Sequence, residues 1–305
     1  MRGEGKRVSL KIGIIGLDTS HAAAFTKLLN DPAHPFHVKG GKVVMACPAG
    51  SDDFELSYSR IDGIVKEVKQ YGVQMVDTFE EVAEHCDAIL LESVDGRVHL
   101  EQVSKLAKFK KPIFVDKPLC LTTADALKMV ELSKHYGVPI MSSSALRFAE
   151  PIRQLASIRD KGKIIGADCF GPMEIIDTQP GYFWYGIHTI EMLYAIVGRG
   201  PRDVKVVSNQ DSDLIVAQWE DGIIGTARGN RKGNYSFGAV IHFEKGNEYI
   251  LIDSSTKPFY ASLLEQVLLF FQTGIPAVQL DETVEIIRFI EAANESRKTG
   301  EKMYV

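Results

Sequence analysis

Short apolar strands alternate with helices of about 10–15 residues through the first half of the chain, and few folds accept that alternation. "VSLKIGIIG" reads as a strand from Val8 to Ile15, and residues 20–30 as a helix stopped at Asn30-Asp31-Pro32. "KVVMA" is a second strand, residues 61–71 a helix and "VQMV" a strand. "TFEEVAEH" opens a helix with Thr78 as N-cap and Glu81 three residues later, a capping box. "DAILLES" is apolar on both faces, as a central parallel strand is. A helix over 97–109, the strand "PIFV", a helix in "TTADALKMVELSKHYG" capped by Thr123 and ended by Gly137, and the strand "VPIMSS" complete the series. The pattern predicts a doubly wound parallel sheet.

The second half has another texture. After a helix at about 149–161, "DLIVAQWEDGIIGTARG" holds an Asp-Gly turn between apolar runs, and "SFGAVIHFEKGNEYILID" turns at Lys245-Gly246-Asn247. Helices are predicted at about 187–197, 259–273 and 281–298. The fold class is therefore α/β: an N-terminal doubly wound sheet over 1–146, then a C-terminal α+β domain over 147–305 with a large, mainly antiparallel open sheet. The change of texture falls between Ser144 and Glu150. Its strands carry large apolar groups on both faces: Leu214 and Val216 with Ile215 and Trp219, and Val240 with Ile241 and Phe243. Helices cover one face. The other predicts a face-to-face homodimer, or a homotetramer.

Composition excludes several classes of function. The 305 residues are 45% hydrophobic with a net charge of −5, so no basic nucleic-acid footprint is expected. No apolar run has membrane-span length, and "MRGEGKRVSLK" lacks the apolar core of a signal peptide. Cys47, Cys86, Cys120 and Cys169 are scattered without C-x-x-C spacing, which predicts reduced small hydrophobes in a cytoplasmic protein. The eight histidines are dispersed, and no metal-ligand spacing is visible.

The turn after the first strand, "GIIGLDTSH", stands where a dinucleotide-binding chain keeps G-x-G-x-x-G. Only Gly16 is in fingerprint position; Asp18 and His21 occupy the other two glycine slots. The second glycine lets backbone approach a pyrophosphate, and the helix N-terminus donates to it. Asp18 is expected to weaken that approach unless its side chain turns away, so glycine at 18 is expected to tighten binding. Thr19 and Ser20 offer hydroxyls in partial compensation. The second strand ends in "ACPAGSDD" rather than in an acid, leaving Ser51, Asp52 or Asp53 to reach a ribose only if the loop folds back.

Four stretches resemble, in order, the Gfo/Idh/MocA family of NAD(P)-dependent sugar and polyol oxidoreductases. "VDKPLCLTTADALKMVELSKHYGVPIMSSSALRFAEPI" resembles its E-K-P segment, "SVDGRVHLEQV" its T-P-N-x-x-H loop, "YGIHTIEML" its G-x-H helix start, and "DETVEIIRFIEAANESRKTGEKMYV" its closing helix and strand. The resemblance implies NAD or NADP as cofactor, NAD being favoured by the acidic pair Asp52–Asp53. It implies cofactor contacts from Gly16, Asp18, Thr19, Ser20, His21, Ser93, Val94, Asp95, His99, Asp116, Lys117, Pro118 and Arg147. Lys117 and His188 are implied as the proton-handling pair, facing one pocket where the domains meet, and the Lys117–Pro118 peptide is expected in the cis form. Asp116 replaces the usual glutamate. His99 reads as structural rather than catalytic. Where the family keeps an aspartate four residues before the histidine, this chain has Trp184, and Asp177 or Glu174 stands as its substitute. Trp184 and Tyr185, with Asp177, are the expected substrate contacts, the aromatics being either a stacking floor or core.

The activity implied is oxidation of a secondary hydroxyl on a carbohydrate-like small molecule. Two alternatives stay open on the residues: a glycosidase or lyase using NAD without net turnover, and a catalytically silent ligand sensor or scaffold.

Overall fold

The computed structural model describes residues 9–253 and 256–305; Val8, where the first strand was expected to start, lies outside them. Two compact units emerge, each built from separate stretches of chain. Unit 1 takes the described residues up to Asp116, then Leu127–Ser142 and Leu263–Leu280; unit 2 takes Lys117–Ala126, Ser143–Ser262 and Asp281–Val305.

Unit 1 contains a six-stranded parallel sheet. Its strands are β1 (Leu10–Ile15), β2 (Gly41–Cys47), β3 (Gln74–Met75), β4 (Ala88–Leu91), β5 (Ile113–Val115) and β6 (Ile140–Ser142). They lie in the order β3-β2-β1-β4-β5-β6, the doubly wound order with its switch point between β1 and β4. Ile12, Ile14, Leu90, Leu91 and Phe114 are fully buried, which explains why these strands are apolar on both faces. The intervening helices are α1 (Ser20–Asn30), α2 (Glu55–Tyr58), α3 (Ile61–Lys69), α4 (Phe79–His85), α5 (His99–Leu106) and α6 (Thr123–Tyr136). Thr78 caps α4 as its spacing requires, accepting from the Glu81 N–H at 3.2 Å and donating to the Glu81 carboxylate at 2.9 Å. Thr123 is inside α6, and Thr122 accepts from the Asp125 N–H at 3.1 Å in its place. Gly137 closes that helix at φ +65°.

Unit 2 holds a seven-stranded sheet: β7 (Ile164–Pro172), β8 (Pro201–Ser208), β9 (Ser212–Trp219), β10 (Ile224–Asn230), β11 (Phe237–Phe243), β12 (Gly246–Ile252) and β13 (Met303–Tyr304). Their order is β12-β11-β7-β10-β9-β8-β13, antiparallel except for the parallel pair β7–β10. The expected helix at 149–161 is much shorter: α7 spans Glu150–Gln154, a 3-10 turn follows at Leu155–Ser157, and Ile158 is extended. The remaining helices are α8 (Gly186–Val197), α9 (Phe259–Thr273) and α10 (Leu280–Thr299). One face of the sheet is core, with Ile215, Trp219, Ala227, Cys169 and Ala239 buried. Tyr194 of α8 meets Trp219 and Phe289 of α10 edge-on above it. The other face carries Val207, Leu214, Val216, Phe170, Val240, Tyr249 and Leu251, which the strand register aligns. Val207, Tyr249 and Leu251 are exposed there. No described helix is long and apolar enough to cross a membrane.

Candidate functional site

In unit 1 the carboxyl edge of the parallel sheet gathers the residues of the glycine loop. Gly16 adopts φ +90°, and a Cβ there would lie 2.4 Å from the Ser93 nitrogen, so only glycine fits. Asp18 is fully buried and turned inward. Its carboxylate accepts from Ser57 Oγ at 2.6 Å and from the Val94 N–H at 3.0 Å. Burial raises its pKa, and those two hydrogen bonds oppose the rise. Thr19 is the N-cap of α1, and no acid sits in that helix's first turn. The charge expected to obstruct a pyrophosphate is thus directed away from the helix N-terminus, whose N–H groups meet an anion as in other phosphate-binding loops.

The loops after β2 and β4 are tied together. Ser51 Oγ donates to Asp95 at 2.7 Å, and Arg97 forks between buried Asp95 at 2.7 Å and exposed Asp53 at 2.8 Å. The loop does fold back, as a ribose contact from Asp53 would need. His99 is buried and donates through Nε2 to the Ser93 carbonyl at 2.7 Å, while Gln102 bonds Ser93 Oγ, so His99 shapes the loop as a structural residue. His21 Nδ1 lies 2.8 Å from Asp116 Oδ2, and the ring stacks on Phe25. Cys47, at the tip of β2, is buried and its thiol is pushed up to about 11, mostly by burial. An NAD molecule fits this set: a tight glycine turn, a helix start free of acids, and a folded-back acidic loop.

In unit 2 the Lys117–Pro118 peptide is cis, as expected. Lys117 Nζ stands 5.5 Å from the centre of the Trp184 ring, a cation–π contact. Trp184 is 8% exposed, so it is core more than floor. Tyr185 packs edge-on against His188 and stacks on Phe237. His188, in the first turn of α8, has Nδ1 2.7 Å from Ser144 Oγ. The Ser144 N–H donates to Glu191 Oε1 at 3.0 Å, one helical turn beyond His188. Glu191 also pairs with Arg147 at 3.2 Å, and Arg147 bonds Glu282. Burial raises the Glu191 pKa; Arg147 pulls it back down. Arg147 therefore anchors Glu191, where the sequence pointed it at a cofactor.

Sequence reasoning missed Ser144 and Glu191, because the two lie 44 and 3 residues from His188 and neither forms a motif with it. Beside this cluster a cavity of about 220 Å³ is lined by Glu174, Tyr185, Asn230, Arg231, Asn234 and Tyr235. Of the two substitute carboxylates, Glu174 lines it; Asp177 lies exposed in the turn beyond.

Residues 10–144 match the model of a family described as oxidoreductases with an NAD-binding Rossmann fold, Gfo/Idh/MocA. A myo-inositol 2-dehydrogenase of Thermotoga maritima is 24% identical over 70% of this chain and 72% of its own. A 2,7-anhydro-N-acetylneuraminate hydratase of Escherichia coli is 20% identical over 48% of this chain and 42% of its own. The crystal structure of a Lactobacillus casei myo-inositol dehydrogenase, in complex with NAD(H) and myo-inositol, superposes with a TM-score of 0.78 at 15% identity, covering 98% of this chain and 97% of that one. The strand order and glycine turn described above lie within residues 10–144, the segment that is similar to the Gfo/Idh/MocA oxidoreductase family.

Proposed function

We propose that the protein is an NAD-preferring dehydrogenase that oxidises a secondary hydroxyl of a sugar, polyol or related compound, with Lys117 and His188 handling the proton. The observation that carries this is the unit 2 cluster. It holds Lys117 over Trp184 and fixes His188 through Ser144, beside a cavity whose lining includes two amides, two phenols, the Arg231 guanidinium and the Glu174 carboxylate. Bound NAD supplies the hydride acceptor, and Gly16, Thr19, Ser20, Ser93 and Val94 would hold it. With Nδ1–H donating to Ser144 Oγ, His188 keeps Nε2 as the nitrogen that takes the hydroxyl proton. Lys117 contributes a positive charge that favours the alkoxide form of the substrate. Ser144 and Glu191 position His188, the task of the carboxylate that Trp184 displaces. The dehydrogenase and NAD names of the relatives support the reading. We further propose a cytoplasmic enzyme that pairs through the open sheet face; the four buried, free cysteines agree with a reducing compartment.

The test is reduction of NAD+ or NADP+, read at 340 nm, across a panel of inositols, sugars and sugar acids. Lys117→Ala is expected to lower kcat by about 10²–10⁴-fold, and Ser144→Ala to lower it while shifting the acid limb of the pH profile. No reduced cofactor anywhere in the panel, or full turnover by Lys117→Ala, would overturn the reading. Substrate conversion with no net reduced cofactor would favour the lyase alternative instead.

A further inference from the structure

We propose that His21, Glu92 and Asp116 form a binding site for one divalent first-row cation, with Mn2+ and Zn2+ as its chemical type. The three residues come from neighbouring elements of one sheet edge. His21 is in the first turn of α1 after β1, Glu92 directly follows β4 and Asp116 directly follows β5. Because β1, β4 and β5 are adjacent, their carboxyl ends bring the three side chains together, with one ligand atom of each within 4.8 Å of the others. Glu92 is fully buried and Asp116 is 3% exposed.

Buried carboxylates pair with cations or coordinate metals, and here two of them share one locus with an imidazole. One imidazole nitrogen and two carboxylate oxygens are a donor set for Mn2+, Fe2+ or Zn2+. The imidazole is also held in place. Its ring stacks on Phe25 with centroids 5.6 Å apart and planes 20° apart, and its Nδ1 already lies against Asp116. The glycine that a fingerprint would place at 21 has no ligand atom. The substitution that removed the third glycine therefore added the nitrogen that completes the set. No spacing rule shows this site, because its members come from three distant segments. The dehydrogenase reading needs no metal, so this inference goes beyond it.

The experiment uses the full-length protein stripped of metal, with no dinucleotide present, so its outcome is independent of the activity assay. MnCl2 is titrated and free Mn2+ followed by electron paramagnetic resonance, with ZnCl2 in a parallel calorimetric titration. One ion per chain is expected, with a nitrogen coupling to bound Mn2+ in pulsed spectra. His21→Gln should abolish that coupling and weaken binding about tenfold or more, and Glu92→Gln should weaken binding similarly. Circular dichroism and melting curves check that both variants fold. The wild-type spectrum decides even if they do not. Substoichiometric binding, a bound ion without nitrogen coupling, or unchanged binding in folded His21→Gln would each overturn the site and leave the His21–Asp116 pair as a structural contact.

Discussion

Asp18 illustrates how a single side chain changes its meaning once its partners are visible. In the sequence it occupies a glycine slot and reads as an obstruction. In the fold it is a fully buried acceptor that pins the loop after β4 through the Val94 N–H, and α2 through Ser57. Asp18→Gly should therefore lower stability by about 1–3 kcal/mol, because a buried N–H and a buried hydroxyl lose their acceptor. Urea denaturation measures this. Calorimetry with NAD+ should show no gain in affinity, and tighter binding by the variant would restore the obstruction reading. His188 teaches the same lesson. The histidine was legible from "YGIHTIEML", but its partner Ser144 was not, since a side-chain hydrogen bond across 44 residues leaves no local pattern.

Among the elements, those with strong local signals were legible. The capping box of α4, the Asp-Gly turn between β9 and β10, and the bounds of α9 all follow from short-range chemistry. The helix expected at 149–161 failed because its apolar residues belong to a short helix, a 3-10 turn and extended chain. The long strands β7 and β8 were not read at all. They are recognised by partners rather than by their own period, β7 pairing with β10 in parallel and with β11 antiparallel.

That three-strand arrangement creates a titrating pair. His242 Nε2 of β11 lies 2.8 Å from Asp168 of β7, which also accepts from Thr226 of β10. The Asp168 hydrogen bond, then the one from Asn247, raises the His242 pKa. Burial pushes Asp168 up, but the bonds from His242 and Thr226 outweigh it and leave it below the ordinary carboxylate range. The raised histidine stabilises below about pH 6.5 and loses that contribution as pH climbs through its folded value. The lowered aspartate stabilises above about pH 3.9 and loses it as pH falls through its folded value. The stability gap between wild type and Asp168→Asn should therefore be widest near pH 5–6 and narrow by pH 8–9, checked by melting at each pH. A gap that widens with alkali would contradict the pairing.

For the whole molecule, the alternation of two-sided apolar strands was legible in the sequence, and the structure aligns one side of them into a single patch. Paired copies through that patch would cover Val207, Tyr249 and Leu251, which are 63%, 61% and 45% exposed in one chain. Sedimentation at micromolar concentration should give a dimer or a multiple of it. Leu214→Lys with Val216→Lys should shift the protein to monomer, since each places an ammonium in a desolvated face. A wild-type monomer would remove this proposal.

The unit boundaries were the least legible feature, because a boundary is set by which segments pack, not by where texture changes. Unit 1 is finished by Leu263–Leu280, and Leu268 of α9 packs against the β1–β2 edge at Gly41 and Ile12. A ribosome works from the amino end, so the half of the protein that is begun first waits for residues 263–280 before it can close. Until α9 emerges, the nascent sheet lacks one of its covers, and that apolar surface stays open while more than a hundred further residues of the chain are made. This protein should accordingly depend on holding its early strands soluble during synthesis, in a way that a chain with its domains laid end to end does not.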